Sequence, residues 1–141
     1  MLRKRKMNSE LFDCFTGRIL GELYESFPVK KVLDIRSFDT EPCVEFYKTS
    51  PHDMEEILKG TIEFLEENEL ITFDRSKNGW QGGFFSGATL SLKGLQLLKK
   101  APKSIEKDYE SIGDKLIKAV KEQGIHRAST IVNEKLWGLL S

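Results

Sequence analysis

Apolar residues recur three and four positions apart over residues 9–27. Phe12, Phe15, Ile19, Leu23 and Phe27 fall on one side of a helix. Ser9 stands before the run as an N-cap, and Pro28 disfavours helical geometry in the residue ahead of it. Residues 29–35 are short and β-branched, which predicts an extended segment. Residues 36–49 carry no clear period, and residues 43–47 read as a short strand or an ordered loop. The helical period returns at residue 51. Ser50 caps, Pro51 suits the first helical position, and Asp53 stands three residues after the cap. Met54, Ile57, Leu58, Thr61, Ile62 and Leu65 form its buried stripe, and the helix should end near Asn68.

Leu70 to Arg75 then reads as a strand, and Asn78-Gly79 as a hairpin turn. Phe84 to Leu90 is the returning strand. Ser91 caps a short helix over 92–100, with Leu92, Leu95 and Leu98 facing inward, and Ala101-Pro102 ends it. Beyond it, Ile112, Leu116, Ala119 and Val120 make one stripe. Gly124 and Ile125 signal a helix stop. Ala128, Ile131, Val132, Leu136, Leu139 and Leu140 make a second stripe, flanked by Trp137. The two stripes predict an αα-hairpin, able to pack on the preceding core or on a second copy of the chain. Monomer and homodimer both remain open.

The order of elements, and two runs in particular, carry a resemblance. Glu63-Phe-Leu-Glu-Glu-Asn-Glu-Leu-Ile-Thr-Phe73 leads a helix into a strand, and Ala88-Thr-Leu-Ser-Leu-Lys-Gly-Leu-Gln-Leu-Leu98 leads the next strand into a helix. Over residues 11–102 this resembles winged-helix proteins, most closely small bacterial and prophage-type ones. The resemblance implies an α+β winged-helix domain with a two- or three-stranded antiparallel wing. It divides the chain into a basic flexible tail (1–8), the domain (9–102) and a C-terminal helical extension (103–141). The sequence departs from the pattern at 36–49, where a further helix is expected and its signal is weak.

Charge then changes the functional picture. The 22 basic and 22 acidic residues cancel, so no global field favours nucleic acid or an anionic membrane. Their distribution is uneven: residues 51–75 hold two basic and eight acidic residues, and residues 76–141 hold eleven and six. The helix that would enter the major groove in a DNA-binding winged helix is therefore the most acidic stretch. DNA affinity comes largely from phosphate neutralisation and counterion release, which that helix opposes. Glu56, Glu63, Glu66 and Glu67, lying off the apolar stripe, are read instead as a solvated or partner-binding face. Trp80, at the hairpin tip, is a second candidate partner contact, because exposed tryptophan is enriched in binding hot spots. Wing-led DNA contact is the alternative, through Arg75, Lys77, Lys93, Lys99, Lys100 and Lys103 with the basic N-terminal run.

Candidate chemistry is sparse. His52 and His126 are isolated, and Cys14 and Cys43 lack the spacing of a zinc site. The glycine-rich run 79–87 is not followed by the Lys-Ser/Thr of a phosphate loop. No Ser/His/Asp pattern or paired carboxylates suggest catalysis. The sequence predicts a non-catalytic regulatory or adaptor module that needs no cofactor. The basic start lacks the apolar core of a signal peptide, and the two cysteines read as reduced thiols, so the expected setting is cytoplasmic and without a membrane.

Overall fold

The structure, a computed structural model, describes residues 2–35, 51–74, 84–100, 110–123 and 125–139. Among these the chain is an α+β fold, with helices around a small three-stranded antiparallel sheet. Helix α1 spans Leu2–Ser26, strand β1 Lys31–Asp34, helix α2 Pro51–Glu67, strand β2 Ile71–Thr72 and strand β3 Phe84–Leu90. Helices α3 (Leu92–Lys99), α4 (Ile112–Lys118) and α5 (Ile125–Ile131) follow. A π-helical turn extends α4 over Ala119–Gln123. Another extends α5 over Val132–Leu136, before a last 3-10 turn at Trp137–Leu139. Among the described residues no helix is long and apolar enough to cross a membrane.

α1 is the element on which the others are arranged. Leu11, Cys14, Phe15, Thr16, Ile19, Leu20 and Leu23 are all buried. Their side chains occupy more than one face, because α2, the sheet and the C-terminal helices all pack against this helix. The helix begins at Leu2, well before Ser9. Ser9 is thus an interior position rather than a cap. At the other end Phe27 falls beyond the last turn and is exposed.

The sheet order is β1-β3-β2. Lys31 faces Ala88, but Leu33 faces Phe85, so β3 carries a bulge. Gly87, inside that bulge, has φ +68°, a conformation that a side chain would strain. β2 pairs Ile71 with Leu90 and Thr72 with Thr89. Phe73 and Phe85 meet edge to face at 5.1 Å beneath the sheet.

α2 enters β2 through a tight reversal. Leu70 N–H donates to Leu65 O and Glu69 N–H to Glu66 O, with Glu69 at φ 62°. This double hydrogen bond is the Schellman closure, usually built with glycine at the left-handed position. Ser91 ties the next corner, donating to Glu69 O and accepting from Gly94 N as the cap of α3. Gly94 lies so close to Leu70 that a Cβ there would stand 2.1 Å from its carbonyl oxygen. This contact fixes which face of α3 turns inward. Leu97 and Leu98 are buried, whereas Leu92, expected inside, is 70% exposed on the opposite side.

The C-terminal helices fold back on their own chain. Ile112, Leu116, Ala119, Ala128, Ile131, Val132 and Leu136 belong to the same buried cluster as the core of α1. Ser111 caps α4 and also lies 3.3 Å from the Tyr24 hydroxyl. Val120 and Leu139, counted in the predicted stripes, are partly exposed instead. The predicted stop at Gly124, and Leu140, lie outside the described residues.

Candidate functional site: an aromatic cleft beside the acidic helix

The outer side of α2 holds the densest set of candidate residues. Its buried stripe is Met54, Leu58, Thr61, Ile62 and Leu65, with Ile57 at the edge. On the solvent side Glu56 and Glu67 are exposed. Glu63 and Glu66 are half-buried, and neither is free of interactions. The four glutamates therefore differ: two project into solvent, and two lie nearer the body of the fold. Trp80 lies outside the described residues.

Sequence periodicity overlooked the neighbours of these glutamates. Phe64 lies off the buried stripe and is 43% exposed. Its ring meets Phe12 of α1 edge to face at 5.2 Å, and Phe12 stacks on Trp137 with centroids 5.6 Å apart and planes 5° from parallel. Three elements remote in sequence thus contribute one aromatic row. Trp137 is held at its indole nitrogen, which donates to Asp13 Oδ1 at 2.8 Å. Burial pushes the Asp13 carboxyl above its ordinary range; the Trp137 hydrogen bond pulls it back, and Glu10 adds to the rise.

Hollows open on both sides of the Phe12–Phe64 pair. One, of about 390 Å³, is lined by these rings with Asn68, Leu70, Lys93 and Trp137. The other, about 360 Å³ and shallower, is floored by Ile57, Gly60 and Thr61. Gly60 sits in the middle of α2, yet a Cβ there would meet no atom within 4 Å among the described residues. Glycine at such a position costs about 1 kcal/mol against alanine. Nothing in the described packing offsets that cost. The sequence signal was available: a glycine off the apolar stripe, followed four residues on by an off-stripe phenylalanine.

The predicted basic set does not assemble among the described residues. Lys93 Nζ donates to Asn68 O at 3.4 Å, at the carbonyl end of α2, where a cation complements the helix dipole. Lys99 and Lys100 are exposed at the end of α3. Arg75, Lys77 and Lys103 lie outside the described residues. His52 is exposed. Cys14 is a buried free thiol, and Cys43 lies outside the described residues. Among the described residues no three His, Cys, Asp or Glu side chains gather where a metal ion could be held.

Geometrically, the site is a pair of hollows with shared aromatic walls, one of them reaching a bare stretch of helix at Gly60. Compared with protein-family models, with curated proteins and with solved structures, the chain has no match.

Proposed function

We propose that this chain is a non-catalytic, winged-helix-like binding module that captures a protein partner on the outer side of α2. The observation that carries this reading is Phe64, a large aromatic ring 43% exposed on a helix whose other outward positions are mainly polar. An exposed aromatic braced by neighbouring rings loses little side-chain freedom on binding, which is why such residues anchor interfaces. The sheet order and the acidic helix ahead of the hairpin are consistent with the fold read from the sequence. Glu56 and Glu67 on that helix disfavour a polyanion.

The test is a photo-crosslinking residue placed at position 64, with a control at Asp114, an exposed residue of α4. Crosslinks to a defined protein at 64 and not at 114, removed by Glu56, Glu63 and Glu67→Lys, support the reading. Equal labelling at both positions argues against it. Mixed-sequence duplex DNA, titrated at low salt and followed by anisotropy, tests wing-led DNA contact. Tight binding with a steep loss as salt rises would favour the DNA reading instead.

A further inference from the structure

We infer that the groove beside Gly60 receives a basic amphipathic segment of the partner, one apolar side chain lying over Gly60 and flanking Lys or Arg side chains meeting Glu56 and Glu67. The inference rests on the reading of α2 as the partner surface and adds the partner's chemistry. Two independent observations carry it.

The first is the bare helix at Gly60. At Gly94 the missing side chain lets Leu70 approach closely. At Gly60 nothing among the described residues comes that close. A glycine there leaves the helix backbone open to close approach by a partner's side chain. The hollow over it is walled by Phe12, Ile57 and Phe64, apolar surface that favours an aliphatic or aromatic side chain.

The second is charge. Glu56 lies one helical turn before Gly60, and Glu67 two turns after it, close to the same side of α2. Both are exposed, so a cation reaching either stays partly hydrated and escapes the desolvation cost of a buried pair. Lys93 lines the opposite hollow, past the Phe12–Phe64 pair. Glu56 and Glu67 bracket Gly60 along the helix, one towards each end, so cations on both sides of the apolar side chain are matched.

The experiment pans a random peptide library on the full chain and measures enriched peptides by anisotropy against wild type, Gly60→Ala, Gly60→Leu and the double variant Glu56→Lys/Glu67→Lys. The expected result is enrichment of Lys and Arg around an apolar residue. Affinity should fall about ten-fold or more in Gly60→Leu and in the double lysine variant, and fall as salt rises. Gly60→Ala should raise Tm by about 3 °C while weakening binding, so that loss of affinity is separated from loss of fold. Failure to enrich any peptide, enrichment without a basic bias, or equal binding by wild type and Gly60→Leu overturns the inference. Crosslinking at position 64 that persists alongside such a result leaves the partner surface standing and discards only its assigned chemistry.

Discussion

Helices α1 and α2 lie against each other and meet opposite demands. α1 is enclosed by α2, the sheet and the C-terminal helices, and its buried residues spread around the helix. α2 buries one stripe and leaves its other side to solvent. Glycine shows the difference most plainly. A Cβ on Gly17 of α1 would stand 3.2 Å from Val132 Cγ2 and 3.3 Å from Ala128 Cβ, whereas a Cβ on Gly60 of α2 would touch nothing described. The same residue type lets α5 close onto α1 in one helix and leaves an open floor in the other. In α1 side-chain identity is set by packing; on the outer side of α2 the described residues place no such demand.

Four substitutions sharpen or break that comparison. The largest effect is expected from Phe15→Ala. The Phe15 ring is fully buried in α1, and its removal should cost about 4 kcal/mol in denaturant unfolding. A loss below about 1 kcal/mol would mean that α1 is not the organising helix. Gly17→Leu comes next, with an expected cost of about 3 kcal/mol from overpacking against Val132 and Ala128. An unchanged midpoint would show that the C-terminal helices stand away from α1.

A smaller change of opposite sign belongs to α2. Glu69 holds φ 62° without being glycine, so Glu69→Gly should stabilise the chain by about 1 kcal/mol. Thermal melts check this, and a fall in Tm would count against the left-handed closure. The smallest effect is pH-dependent. Burial raises the Asp13 pKa, so the folded chain holds this proton more tightly than the unfolded one. Stability is therefore lost as pH rises from the unfolded aspartate value, about 4, through the raised folded value. Asp13→Asn keeps an acceptor for the Trp137 indole and removes the charge. Its unfolding free energy should lose that part of the pH slope, and an unaltered slope would exclude Asp13 as the source.

Several elements were legible because each rests on near neighbours in sequence. The stripe of α2 and the Ser91 cap depend on residues a few positions apart, and β2 and β3 are successive strands in the chain. Other expectations failed where a distant contact decided the outcome. Leu92 reads as an inward residue, yet the approach of Gly94 to Leu70 turns it outward. Ser9 reads as a helix start, yet α1 runs through it. The aromatic row was hidden because Phe12 lies in one apolar stripe, while Phe64 and Trp137 lie off the stripes of two other helices.

The sequence by itself determined that this chain builds amphipathic helices around a small antiparallel sheet, and that one helix concentrates negative charge. Those properties follow from local periodicity and composition, which survive any arrangement of the elements. Only the tertiary structure decided that the last helices close onto α1, that Glu56 and Glu67 stay exposed while Glu63 and Glu66 sit closer in, and that the rings of Phe12, Phe64 and Trp137, from three elements, meet in one row. Such outcomes depend on which faces exclude water together, and that is set by the packing of the whole chain rather than by any one segment.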